Sequence, residues 1–241
     1  MLVPAVFIHG VPETWRVWDA IRSACGRDDT IALALPGFDT PLPDGFTPHK
    51  ESYADWIAAA IEAIGEPVDL VGHDWGCLLA QRVASTRPDL IRTWACGGGP
   101  VDETYVWHDT AQAWQTPELG EQVMAMLTPE LLAGALAPEL GDAAATEMAS
   151  AVDETMRNCI LALYRSAIEV GREWQPAVDA LGARRPAAIL WGRDDQYAPV
   201  EMGERLARRV GGRLHVLECG HFWPVVQPEA AAAVLTDLWG T

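Results

Sequence analysis

The sequence predicts an α/β fold: a mostly parallel sheet with helices on both faces and a helical segment inserted between two of its strands. Three observations carry this. Short apolar runs of strand length alternate with longer stretches whose apolar residues recur at helical spacing. The alternation stops between about Pro100 and Gly182, where only helical patterns occur, and then resumes to the C-terminus. At 241 residues the chain is long enough for one such unit.

Val3–Ile8 is an apolar run ending at His9-Gly10 and reads as the first buried strand. Thr14 is placed to cap a short helix carrying Trp15, Trp18 and Ile21. Thr30–Leu35 reads as the second strand, stopped by Pro36-Gly37, and the Pro-, Asp- and Thr-rich stretch from Phe38 to His49 as a loop. Ser52–Ile64 has Trp56, Ile57, Ala60, Ile61 and Ile64 on one helical face. Val68–Val71 is the third strand, broken at Gly72, and Gly76–Ser85 resumes as an apolar helix. Leu90–Ala95 is the fourth strand. Ala187–Trp191 and Arg213–Leu217 follow as the fifth and sixth, with helices at Met202–Val210 and Glu229–Trp239. This order implies parallel pairing with both faces of the sheet covered.

In the interruption, Leu119–Leu127, Pro129–Ala137 and Glu154–Val170 have helical patterns. An all-helical insertion at this point reads as a cap over the C-terminal edge of the sheet, where ligands bind in open α/β folds. The predicted division is a core of residues 1–99 and 183–241 and a cap of residues 100–182. Gly97-Gly98-Gly99-Pro100 lacks the spacing and the Lys-Ser/Thr of a phosphate loop and reads as the entry to the cap.

Lysine and arginine total 17 against 34 acidic residues, a net charge of −17. Nucleic acid and anionic membrane both select basic surface, so neither is expected as a partner. A neutral small-molecule substrate fits better. The five cysteines are dispersed with no CxxC pair, so no metal site or disulfide framework is predicted, and no cofactor is called for. Met1 to Ile8 lacks the basic start and long apolar run of a signal peptide. With no 18-residue apolar run either, the expectation is a soluble, cytoplasmic protein. Oligomeric state is left open.

Three polar residues fall at the C-terminal ends of predicted strands. Gly72-His73-Asp74-Trp75-Gly76 has the form of a strand–turn–helix elbow, with glycines two residues either side of the reactive position. Side chains at those glycines would meet neighbouring backbone, and the helix N-terminus favours an anion. A helix N-cap would explain Asp74 taken alone. However, Gly192-Arg193-Asp194-Asp195 follows the fifth strand and Cys219-Gly220-His221 the sixth. Nucleophile, acid and histidine come in that order in sites of this kind.

The chain resembles the epoxide hydrolase and haloalkane dehalogenase branch of the α/β-hydrolase superfamily over nearly its whole length. The matching pieces are His9-Gly10-Val11-Pro12-Glu13-Thr14-Trp15, the Gly72–Gly76 elbow, Gly192 through Pro199, and Gly220-His221 through Pro228. The resemblance begins at the strand leading into His9-Gly10, without the two strands that usually come before it. It implies an α/β-hydrolase fold with Asp74 as nucleophile, His221 as base and Asp195 as the acid, chosen over Asp194 by the Gly-x-x-Asp phrase. It also implies oxyanion donors at the backbone amides of Trp75 and Val11, with Pro12 shaping their loop through a cis bond.

An aspartate is already ionised at neutral pH and suits attack on a saturated carbon, giving an ester that His221 hydrolyses through a water. The leaving group separates two chemistries. An epoxide needs a proton donor, supplied in relatives by cap tyrosines; a halide needs only N–H donors. The His-Gly-x-Pro-Glu-x-Trp phrase looks like epoxide hydrolases, and Tyr164 is similar to the second family tyrosine. The first would fall at Thr110 if Trp114-Gln115-Thr116-Pro117 is the matching phrase, so Tyr105 and His108 are the substitutes, His108 preferred. Trp107, Trp114 and Trp174 are the candidates for a halide donor or for simple lining. Epoxide hydrolysis is the first expectation and haloalkane dehalogenation the second. A small-molecule binding protein on a hydrolase scaffold is the third.

Overall fold

The computed structural model describes residues 3–240. Met1, Leu2 and Thr241, read above as part of the core, lie outside the described residues. Strands β1 (Ala5–Ile8), β2 (Thr30–Leu33), β3 (Val68–His73), β4 (Ile91–Gly97), β5 (Ala187–Gly192) and β6 (Arg213–Leu217) form a six-stranded sheet in the order β2-β1-β3-β4-β5-β6. Every pairing is parallel. The fold is the predicted α/β-hydrolase architecture.

Alternation along each strand builds two cores. Val6 and Ile8 of β1, Leu70 of β3 and Ile189 and Trp191 of β5 face one layer. Helices α2 (Lys50–Ile64), α3 (Trp75–Thr86) and α10 (Val200–Val210) cover it. Phe7, Val71 and Leu190 face the other, against α1 (Asp19–Cys25), α11 (Trp223–Val226) and α12 (Pro228–Trp239). A strand apolar on both faces loses its backbone polarity only by pairing on both edges, which the inner strands do. Asp69 of β3 is wholly buried yet satisfied: Arg92 holds both of its oxygens and the Thr93 hydroxyl donates to it at 2.6 Å.

Two boundaries differ from the sequence reading in ways that matter for the site. Strand β3 does not break at Gly72; Gly72 and His73 stay in register with Cys96 and Gly97 of β4. The break comes at Asp74, with φ 52° and ψ −120°. The predicted helix Glu154–Val170 is two helices, α8 (Glu154–Arg165) and α9 (Val170–Leu181). Lys50 at the start of α2 explains the stop: its backbone N–H and its ammonium donate to Ser166 Oγ and O at 3.0 and 2.5 Å, ending α8 there.

The stretch between β4 and β5 contains α4 (Asp109–Gln115), α5 (Leu119–Met126), α6 (Pro129–Leu140), α7 (Asp142–Ser150), α8 and α9, with no strand among its described residues. Helices α6 and α7 form a hairpin packed chiefly on itself, whereas α9 lies against α3 and α10. No single helix among the described residues is long and apolar enough to cross a membrane.

Candidate active site

Asp74 sits where β3 meets α3, and the local backbone is strained. A non-glycine residue at φ 52° and ψ −120° occupies a sparsely populated region. What holds it there is close packing on both sides: a Cβ at Gly72 would strike the Gly76 carbonyl, and one at Gly76 the Ile8 carbonyl. The turn lifts the Asp74 side chain off the sheet edge and places the N-terminus of α3 directly behind it.

The other strand ends converge on this carboxylate. Val11 donates its backbone N–H to Asp74 Oδ1 at 2.7 Å from the loop after β1, and the Val11–Pro12 bond is cis. His221 Nε2 lies 3.5 Å from Asp74 Oδ2, and its Nδ1 lies 2.9 Å from Asp195 Oδ2. The other Asp195 oxygen accepts the N–H groups of Tyr197 and Ala198, each at 2.9 Å. Asp195 therefore has no freedom to turn, and Nδ1 of His221 carries the proton it donates. Asp194 is exposed and takes no part. Beneath the ring, His73 Nε2 meets the His221 carbonyl at 2.9 Å, while Glu13 lies 2.7 Å from His73 Nδ1. Among the described residues there is no group of His, Cys, Asp and Glu able to hold a metal ion.

A cavity of about 180 Å³ opens on Asp74 and His221. It has room for one small molecule. Leu127, Leu132, Ala135 and Leu136 form an apolar wall, and His108, Thr110, Tyr164 and Tyr197 supply the polar groups. Of the sequence-predicted residues, Tyr164, His108, Pro12 and Val11 line the cavity. Trp75 lies behind them, its ring edge-on to that of Tyr164 at 5.2 Å. Tyr105 does not line it: its hydroxyl donates to the Tyr197 carbonyl at 2.9 Å. Sequence reasoning missed Tyr197, whose ring stands edge-on to His221 at 5.0 Å. The signal was its place two residues after Asp195, but its direction depends on the turn that Asp195 Oδ1 holds.

The charges are set by burial working against close partners. Burial alone would raise the Asp74 carboxyl, yet His221 and the Val11 amide outweigh it and hold it below the usual range. Burial would likewise lower His221, but Asp195 and then Asp74 push it well above the ordinary imidazole value. Burial lowers His108, whose Nδ1 accepts the Ala111 N–H at 3.3 Å, so its neutral form keeps the proton on Nε2. Burial holds the Tyr164 phenol well above its usual value and therefore protonated. A carboxylate beside an imidazole stabilises the charged ring, so removing one lowers its pKa. In Asp74→Asn the His221 ring is expected to titrate at lower pH than in the wild type, and in Asp195→Asn lower still. Proton NMR of the imidazole tests this; titrations unchanged in both variants would refute that account.

Comparison with known proteins agrees with this architecture. A model of the Alpha/beta hydrolase family matches residues 5–234. Epoxide hydrolase 2 of Siraitia grosvenorii is 37% identical over 98 residues, which are 37% of this chain and 30% of that protein. Three curated relatives, this one included, are matched over only 40%, 30% and 25% of their own lengths. The pimeloyl-[acyl-carrier protein] methyl ester esterase of Neisseria meningitidis is 28% identical over 95% of this chain and 74% of its own. The crystal structure of haloalkane dehalogenase DbeA from Bradyrhizobium elkani superposes with a TM-score of 0.80 at 20% identity, covering 99% of this chain and 91% of that one. A likeness at that identity speaks for the fold. With the family model spanning nearly the whole chain, the protein belongs to the Alpha/beta hydrolase family.

Proposed function

We propose that this hydrolase opens epoxides to diols through an ester on Asp74. The observation that carries the reading is an ionised aspartate at a strained elbow, with an amide on one oxygen, His221 near the other, and the protonated Tyr164 phenol in the same cavity. Asp74 Oδ2 attacks a ring carbon, the C–O bond breaks, and Tyr164 gives its proton to the alkoxide, with the neutral His108 Nε2–H as second donor. The helices between β4 and β5 act as the cap that closes this cavity and excludes water.

The second half follows from the charges. Esterification neutralises Asp74, so His221 loses one of the two carboxylates that raise its pKa. The imidazolium then gives up its Nε2 proton, replacing the one Tyr164 spent on the alkoxide, and the neutral ring can serve as base toward water, while Asp195 keeps it oriented. Water gives a proton to Nε2 as it attacks the ester carbonyl, and the oxyanion forms on Oδ1 against the Val11 amide, with the Trp75 amide as the second donor; its collapse breaks the bond to Oδ2, and the His221 proton passes to the departing diol oxygen.

Single turnover of 1,2-epoxyhexane in H₂¹⁸O tests the reading. The first diol should carry no label, because its new oxygen comes from Asp74, and later turnovers should carry it. Label in the first diol would overturn the ester mechanism. Tyr164→Phe is expected to slow ring opening by about 10²-fold, read as pre-steady-state ester formation, with much less effect on ester hydrolysis.

One observation favours dehalogenation as a second reading. The indole N–H of Trp114 is buried in the cavity wall with no partner among the described residues. Trp107 and Trp174, by contrast, donate to the Ala167 carbonyl and to Glu51 at 3.2 and 2.8 Å. Halide release from 1-bromobutane without turnover of epoxides would select this reading.

A further inference from the structure

We propose that Glu139, on α6, is a positioning residue that ties the helix walling the cavity to the alignment of His221. The inference rests on the ester mechanism above and assigns a role to a residue that mechanism leaves out. Phe222, the residue after His221, donates its backbone N–H to Glu139 Oε1 at 2.7 Å. Among the described residues no cation pairs with this carboxylate, so its one hydrogen bond is spent on the histidine loop.

The residue before His221 is built around the same group. A Cβ at Gly220 would lie 2.8 Å from the carboxyl carbon and both oxygens of Glu139. A side chain at this position would push the carboxylate away from the Phe222 N–H. The loop is thus clasped from outside the sheet, while His73 and Asp195 hold it from within at 2.9 Å each.

The clasp comes from the helix that walls the cavity. Helix α6 supplies Leu132, Ala135 and Leu136 to the cavity wall, and α6 and α7 pack mostly on each other. The contact therefore joins the helix that walls the cavity to the loop that carries the base. Loss of the Glu139 contact alone leaves the cavity wall in place, so alkylation of Asp74, which needs no base, should tolerate it. Hydrolysis of the ester needs Nε2 aimed at a water, and a small misplacement is costly there.

The test is rapid-quench intact mass of wild type, Glu139→Ala and Glu139→Gln with 1,2-epoxyhexane, thermal unfolding serving as the folding control. In Glu139→Ala, ester formation is expected within about threefold of wild type and ester hydrolysis roughly ten- to a hundredfold slower, so that ester accumulates. Glutamine keeps an acceptor oxygen and should restore most of the hydrolysis rate. Gly220→Ala, which displaces the carboxylate, should reproduce the defect, and the double variant with Glu139→Ala should be no worse than either alone. Hydrolysis at the wild-type rate in Glu139→Ala, equal slowing of both steps, or no rescue by glutamine would overturn the proposal. Absence of any ester in the wild type and in His221→Gln would instead overturn the mechanism on which it rests.

Discussion

Asp74→Ala is expected to fold and to lose turnover by about 10³-fold or more, since no other group in the cavity can take over its attack. His221 and the tyrosines can move protons but cannot hold the substrate carbon in a hydrolysable ester. The variant separates function from fold in an informative way. Alanine keeps the strain at φ 52° and ψ −120°, because that strain belongs to any residue with a Cβ. Glycine does not. Asp74→Gly should therefore be as inactive as Asp74→Ala but more stable by about 1 to 2 kcal/mol, less what its greater freedom in the unfolded chain takes back. Urea unfolding of the two variants measures the difference. An Asp74→Gly variant less stable than Asp74→Ala by the full entropic cost of glycine, about 0.4 to 1 kcal/mol, would mean that the elbow stores no strain in Asp74, and turnover in either variant would mean that the carboxylate is not the nucleophile.

The same elbow shows what could be read from residue order and what could not. Gly72, Gly76 and the strand on their N-terminal side carry local information: small residues where backbones meet, apolar residues on both faces of a buried strand. The meeting of Asp74, Asp195 and His221 at one sheet edge was legible for that reason, since each stands just past a strand. The exact end of β3 was not, because His73 stays in the strand through its register with Gly97 and through contacts with Glu13 and the His221 carbonyl, all distant in sequence.

The inserted helices were readable as helices and hardly at all as a site. Helical periodicity tells which face of α8 is buried, and Tyr164 lies on it, but the same pattern describes a core tyrosine. Tyr105 and His108 stand three residues apart with similar credentials. Only the fold separates them, committing the Tyr105 hydroxyl to a backbone carbonyl and leaving His108 Nε2 on the cavity side. Glu139 gave no sign in the chain, since its partner is a backbone N–H 83 residues away.

His221→Gln carries the other large effect, and it identifies the chemistry as well as the residue. Glutamine cannot take a proton from water, so ester hydrolysis should fall by about 10³-fold or more. Alkylation should survive, because Asp74 is ionised by its surroundings and needs no base. The loss of the imidazolium removes the main influence that holds the carboxyl low, leaving the Val11 amide, which still donates to Oδ1, to oppose the burial that raises it. The trapped species can be weighed. An epoxide adds its whole mass, since the ring oxygen stays on the substrate and takes up a proton; an alkyl halide adds its mass less HX, since the halide leaves. An adduct of the first kind, mapped to the peptide containing Asp74, would establish epoxide chemistry, and one of the second kind would move the protein to dehalogenation. A folded variant that takes up no adduct from a broad panel, while the wild type binds the same compounds unchanged, would make the cavity a binding site with an idle triad. That outcome would leave the strain at Asp74 without a catalytic purpose, which is why the mass measurement and the stability of Asp74→Gly are best read together.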